Sequence, residues 1–226
     1  MIFNKLKRIL PKFTPRFMKP KPTNQKELTN TEPDELYEQV VTQSNQIEWV
    51  ECEDVYKPIE KPIKEFIEEK EIRLPYTPVY ILQSALTTLK THLEVNKTVE
   101  QGGILFGQAY NDSQHGIYVE ITAAVAAPAT IGTGAHLEFT SDSWQGIMDY
   151  AKSTHPEANI VGWYHSHPNI GVFMSGTDMR TQRAFFYHPW CVSIIYDPIR
   201  NEIGCFLGED AKVVKPAVFE PMLLMK

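Results

Sequence analysis

Six positions within 14 residues carry the densest chemistry in the chain: His165-Ser166-His167-Pro168, then Ser175 and Asp178. Side chains two apart on a strand point to the same side, so His165 and His167 can converge where a strand ends. Imidazole nitrogens suit zinc, and a carboxylate can supply a third ligand. Asp178 lies in the first turn of an expected helix, and a short loop can fold it back toward both histidines. Three protein ligands leave a fourth tetrahedral position for water, the arrangement of a catalytic zinc site. Zinc lowers the pKa of such a water to about 7. A plainer reading exists for each part. Ser175 and Asp178 fit a Ser-x-x-acid capping box that merely starts a helix. Single histidines such as His92, His115, His136, His155 and His188 read as packing or surface residues. The joint occurrence, at a point where strand gives way to helix, favours metal binding.

Those residues need elements to hold them. The apolar run Ile160 to His165 reads as a strand, and Gly176 to about Tyr187 as a helix. Upstream, Thr77 and Pro78 open a helix whose apolar face is Val79, Leu82, Ala85, Leu86, Leu89 and Leu93. Residues 103–110 and 116–126 read as consecutive strands around Asn111-Asp112-Ser113. A further strand is expected near 136–140. A helix follows from Asp142 to Ser153, capped by Ser141 or Thr140. Residues 191–197 and 202–208 form a last hairpin. The fold class is α/β in the mixed α+β sense: one domain with a mixed, curved sheet flanked by helices. A second acid beside the metal could be Glu94, Glu100, Glu120 or Glu138, and the residues alone do not choose.

The motif resembles that of the JAMM, or MPN-plus, metalloproteases of the Mov34/MPN type, which include zinc deubiquitinating enzymes. Their pattern is an upstream glutamate, His-Ser/Thr-His, seven residues, Ser, two residues and Asp; this chain carries His165, Ser166, His167, Ser175 and Asp178 at those places. The flanking Ile160-Val161-Gly162-Trp163-Tyr164 and Pro189-Trp190 through Asp197-Pro198 look like the bacterial branch. The resemblance covers residues 76–226. It implies one zinc per chain held by His165, His167 and Asp178, and it places the family glutamate at Glu100, ahead of Gly102-Gly103. Gly102, Gly103 and Gly107 then read as close backbone approaches, or as a bulged strand. The implied substrate is a peptide or isopeptide bond at the C-terminus of a ubiquitin-like protein, held extended along a strand edge. Ala129 to Gly134 is the candidate loop for that contact. Glu100 would act as general base and then acid, and Ser175 would donate to the oxyanion. Ser166 and Pro168 would shape the ligand loop. The implied partners are the modifier or its conjugate and the activating or conjugating enzymes of the same pathway. Twelve residues separate Asp178 from Cys191, leaving no room for the inserted second zinc site of some eukaryotic members. Two other readings are an MPN scaffold without catalysis and a RadC-like protein of DNA repair. The full ligand set argues against the first, and Ser166 with Asn169-Ile170-Gly171 against the second.

Composition bounds the rest. The chain has 226 residues and a net charge of −6, which excludes a general nucleic-acid binder. No run of 18 apolar residues offers a membrane span. Three scattered cysteines, Cys52, Cys191 and Cys205, exclude a disulfide framework and suit the cytoplasm. Cys191 and Cys205 read as small buried residues on paired strands. All 12 glycines lie at Gly102 or later, while eight of the 16 prolines precede residue 76. Residues 1–22 carry seven bases and no acid, and residues 23–75 carry 14 acids and six bases. This divides the chain into a basic proline-rich tail (1–22), an acidic, partly helical or disordered extension (23–75) and the metalloprotease domain (76–226). Pro11, Pro15, Pro20 and Pro22 interrupt the tail, excluding a secretory signal and leaving at most weak contact with an anionic surface. Helices are expected after Pro33, through Leu36, Val40 and Val41, and around Ile59, Ile63, Phe66 and Ile67 with Pro62 as the start.

Overall fold

Two long strands, β3 (Gly102–Asp112) and β4 (Gly116–Ala126), form the antiparallel centre of the molecule, and most of their residues are buried. The computed structural model describes residues 56–70, 74–127, 131–133, 136–138 and 141–220. The expected helix after Pro33 and all of the basic tail lie outside them. Chain order continues the pattern: β1 (Ile59–Glu60), α1 (Ile63–Glu69), β2 (Val79–Leu82) and α2 (Gln83–Leu93) precede β3. After β4 come β5 (Ile131–Thr133), β6 (His136–Glu138), α3 (Ser141–Thr154), β7 (Asn159–Ser166) and α4 (Gly176–Phe185). β8 (Val192–Asp197), β9 (Glu202–Leu207), β10 (Lys212–Val214) and β11 (Ala217–Phe219) complete the described chain.

The main sheet runs β10-β9-β8-β7-β3-β4-β2-β11, with β1 added alongside β3; β5 and β6 pair separately. It is mixed: β7 and β8 are parallel, as are β4 with β2 and β2 with β11, while the other pairs along the path are antiparallel. All eight residues of β7 are buried, as a strand with neighbours on both edges requires. Gly162 sets its distance from β8. A Cβ there would lie 1.9 Å from the Val192 carbonyl oxygen, so no side chain fits. Because β7, α4 and β8 form a crossover unit, the end of β7 and the start of α4 face one another at the carboxyl edge of a parallel pair.

The helix expected from Thr77 starts later. Val79–Leu82 is instead strand β2, and Val79, Tyr80 and Ile81 are fully buried between parallel neighbours. Four apolar residues in succession suit a strand with both edges paired as well as one turn of helix, and burial decides for the strand. Ile59 likewise belongs to β1. The helix beginning after Pro62 is present as α1. Gly107 sits at a register shift where its Cβ would meet the Glu120 carbonyl at 1.8 Å; it is both bulge and close approach.

Residues 56–69 fall before the step in composition at residue 75, yet they are built into the domain's layers. β1 pairs with β3 beyond the point where β7 stops. The Tyr56 hydroxyl accepts from the Ala109 N–H (3.1 Å) and donates to the Ala109 carbonyl (3.4 Å). Phe66 is wholly buried among Tyr80, Tyr118 and Phe219, with ring centroids 4.6, 5.6 and 5.7 Å away. Burial of one such ring contributes about 1.5–3 kcal/mol. α1 lacks a cap from its own N-cap residue, Pro62. Asp112, from the β3–β4 turn, supplies it: Oδ2 accepts from Ile63 N–H at 2.8 Å, while Oδ1 accepts from Gln114 and His115.

Phe66→Ala should lower unfolding free energy by about 3–5 kcal/mol in urea titrations, since it leaves a cavity as well as losing transfer energy. The Ile63 N–H bond, followed by those from His115 and Gln114, outweighs burial and holds the Asp112 carboxyl well below the usual range. A depressed carboxyl stabilises the fold above its unfolded pKa of about 3.9, and the gain disappears as pH falls through the folded value. The gap in urea midpoint between wild type and Asp112→Asn should therefore be full at pH 7 and shrink progressively below about pH 4. A gap that persists unchanged in acid would show that the charge is not what matters.

Candidate metal centre

Alternation along β7 puts Trp163, His165 and His167 on one side of the chain. His165 is the penultimate residue of the strand, His167 lies one residue past its end, and both are buried. Their Nε2 atoms stand 3.1 Å apart. Asp178 meets them from the first turn of α4, with Oδ1 3.2 Å from His165 Nε2 and Oδ2 3.4 Å from His167 Nε2. At zinc–ligand bonds of about 2.0–2.1 Å, tetrahedral geometry separates ligand atoms by about 3.3 Å. The three side chains therefore fit zinc in chemistry, and one donor atom from each lies within 4.8 Å of the others. Among the described residues this is the one His/Cys/Asp/Glu group that converges in this way.

Each donor is fixed by a different neighbour. The His165 ring stacks on Trp163 (4.5 Å, 9° between planes), and the Trp163 indole N–H donates to Gln182 Oε1 at 2.7 Å. His167 Nδ1 lies 3.1 Å from the Gly171 carbonyl. The expected capping box at α4 is present: Ser175 Oγ accepts from Asp178 N–H at 3.2 Å, and Asp178 Oδ2 accepts from Ser175 N–H at 2.7 Å. Capping and ligation were alternatives in the sequence, but the geometry lets one carboxylate serve both. The cap restrains the Asp178 side chain, leaving Oδ1 directed at His165. Ser175 accepts through its oxygen, which leaves its O–H free to donate elsewhere.

Burial lowers the His165 pKa despite Asp178, keeping that ring neutral, the form a metal ligand needs. Burial also pulls His167 down, but the Asp178 and Glu100 carboxylates outweigh it and its pKa rises. For Asp178, the opposing bonds from His165, His167 and Ser175 outweigh burial and hold the carboxyl well below its usual range.

Glu100 precedes β3 and is buried, with Oε1 3.8 Å from His167 Nε2. Burial pushes its carboxyl up to about 7, opposed by His167 and reinforced by Asp178. The adjacent peptide is clamped to the end of β7: Gln101 N–H donates to Ser166 Oγ (3.0 Å) and Ser166 N–H to the Gln101 carbonyl (2.9 Å). The other acids go elsewhere. Glu94 accepts from the Tyr196 hydroxyl, and Glu120 pairs with Lys70 at 2.9 Å. The Glu138 side chain lies outside the described residues. Four other histidines have local partners: His92 meets the Tyr164 hydroxyl, His115 meets Asp112, His155 faces the Tyr150 ring and His188 stacks on Trp190, while the His136 side chain lies outside the described residues. Cys191 and Cys205 are buried free thiols, each pushed by burial up to about 12, outside any metal cluster among the described residues. Sequence reasoning did not single out Trp163 and Gln182 as supports. The two-residue spacing of Trp163 from His165 was the available signal.

Residues 77–187 match the JAB1/Mov34/MPN/PAD-1 ubiquitin protease family, a span from just before β2 to just after α4 that includes every residue of the cluster. This stretch of the chain belongs to that family. Similar members are the 26S proteasome regulatory subunit RPN11 of Eremothecium gossypii and the ubiquitin carboxyl-terminal hydrolase RPN11 of Saccharomyces cerevisiae. The first is 31% identical over 62% of this chain and 44% of its own, the second 33% over 56% and 40%. COP9 signalosome complex subunit 5 of Oryza sativa is 29% identical over 58% of this chain and 38% of its own. The matched region spans less than half the length of each of these JAB1/Mov34/MPN relatives.

His165→Ala and His167→Ala should each lower the zinc content of purified protein, measured by atomic emission. If both variants keep one equivalent, the metal is held elsewhere.

Proposed function

We propose that this chain is a zinc-dependent hydrolase that cleaves a peptide or isopeptide bond at the C-terminus of a ubiquitin-like modifier, by deconjugation or precursor processing. The observation that carries this reading is the convergence of His165, His167 and Asp178 with a fourth, buried group, Glu100, 3.8 Å from His167. The names borne by the relatives, ubiquitin hydrolase and proteasome subunit, support the substrate class.

His165, His167 and Asp178 would hold one zinc ion. When bound, zinc supplies a Lewis acid and makes water acidic enough to act as a nucleophile near neutral pH. Glu100 takes a proton from the attacking water at Oε1 and returns it to the leaving amine. A carboxyl raised toward neutrality by burial suits both transfers. Ser175 donates its O–H to the oxygen that becomes negative in the transition state, worth about 3–4 kcal/mol in comparable sites. Ser166 holds the Glu100 segment against the ligand strand, so base and ligands keep a fixed separation.

The modifier tail binds extended beside Ala129 to Gly134, the segment that includes β5. The residues that precede the sheet, 1–55, inhibit, recruit or tether, and the activating and conjugating enzymes of the same pathway are the proposed neighbours. No described helix is long and apolar enough to cross a membrane. The two buried free thiols suit a reducing compartment, for which the cytoplasm is proposed.

Glu100→Ala should retain zinc yet lose cleavage of ubiquitin-like conjugates by at least about 100-fold. A chelator should abolish cleavage in the wild type across a panel of such conjugates. Unchanged turnover in Glu100→Ala would remove Glu100 from the base role, and chelator-resistant cleavage would remove the metal from the reaction.

A further inference from the structure

The His167 ring is aimed from outside the ligand set, and we infer that Asp197, at the end of β8, is the positioning residue that aims it. This rests on reading His165, His167 and Asp178 as a metal centre. A carbonyl oxygen can only accept, so His167 Nδ1, 3.1 Å from the Gly171 carbonyl, carries the proton. With Nδ1 committed to that carbonyl, Nε2 is the nitrogen left facing His165 and Asp178, as ligation requires.

The Gly171 carbonyl is placed by a short loop with two left-handed residues in three, Asn169 at φ 63° and Gly171 at φ 86°. Such a loop does not keep its shape by local preference alone. The backbone N–H groups of these same two residues end on Asp197: Asn169 donates to Oδ1 at 3.0 Å and Gly171 to Oδ2 at 2.8 Å. Asp197 is fully buried, and its Oδ1 also accepts from Ile199 and Arg200, each at 3.0 Å. Arg200 closes the ring by donating to the Asn169 carbonyl at 2.8 Å. The backbone N–H of His167 donates to the carbonyl of Tyr196, the residue before Asp197, at 3.0 Å. One carboxylate thus ties the β8–β9 turn to the loop that fixes a ligand's tautomer. It lies beyond the span matched to the family, residues 77–187.

The competing role is local: Asp197 could serve only to finish the β8–β9 turn. Asp197→Asn separates the two, because an amide keeps the Oδ1 bonds to Asn169, Ile199 and Arg200 but sets an NH2 against the Gly171 N–H. The expected result is a folded protein whose zinc affinity, read by competition with a chromophoric chelator, falls about 10–100-fold. In the metal-free protein, at a pH where the imidazole is neutral, long-range 15N–1H spectra should show His167 confined to the Nδ1–H tautomer in wild type and mixed in Asp197→Asn. Asp112→Asn is the matched control, since it also removes a buried carboxylate that gathers backbone amides, but at a turn remote from the metal. It should lower stability and leave zinc affinity and the tautomer unchanged. Zinc affinity equal to wild type in Asp197→Asn, or an equal loss in Asp112→Asn, would overturn the inference. Wild type that binds no zinc would overturn the metal centre itself, and the tautomer spectra would still decide whether Asp197 orients the ring. Should Asp197→Asn fail to fold, Arg200→Ala, which removes a half-exposed side chain, carries the test: zinc affinity should fall several-fold, and an unchanged value counts against the proposal.

Discussion

Two imidazole nitrogens 3.1 Å apart, with carboxylate oxygens 3.2 and 3.4 Å away, form an arrangement that pairwise attraction alone does not hold in one geometry. A proton on one ring can bond the carboxylate, but only the fold keeps all three donors turned toward one point before any ion arrives. That requirement explains where the rigid parts of the molecule lie. The aromatic stack behind His165, the capping box at Asp178 and the loop held by Asp197 each fix one donor from a different direction. The β7–β8 pair, closed up by Gly162, sets the distance among the three supports.

Glu100 meets the opposite demand. In its proposed role it must be close to the cluster without joining it, and at 3.8 Å from His167 it is near enough to feel its charge. The peptide that follows Glu100 is bonded at both N–H and C=O to Ser166, between the two histidines. Ligand strand and acid are therefore registered through a single serine.

Much of this was legible in the chain. The strand ending at the histidines, the helix starting at Gly176 and the hairpin of β3 and β4 follow directly from apolar runs and turn residues. Val79–Leu82 misled because four successive apolar residues match a helical face as well as a strand paired on both edges. The three-residue strands β10 and β11 are too short to carry a period. Among the site residues, paired histidines at fixed spacing announce themselves, but a single acid such as Glu100 has no local signature, and its selection over Glu94 or Glu120 needed the family resemblance. Asp197 reads in the sequence only as a turn residue before proline. Its hold on Asn169 and Gly171 spans more than 25 positions and exists only once β7 and β8 lie side by side.

The Tyr56 hydroxyl bonds both the N–H and the carbonyl of Ala109, standing in for a neighbouring strand where β7 has already ended and β1 has just begun. It completes a guard over the outer half of β3. A proteolytic cut between Tyr56 and Tyr76 that released this segment would leave the metal ligands in place but open a hydrogen-bonding edge. Such edges recruit other chains. Protection of that edge thus rests partly on residues whose composition marks them as a tail.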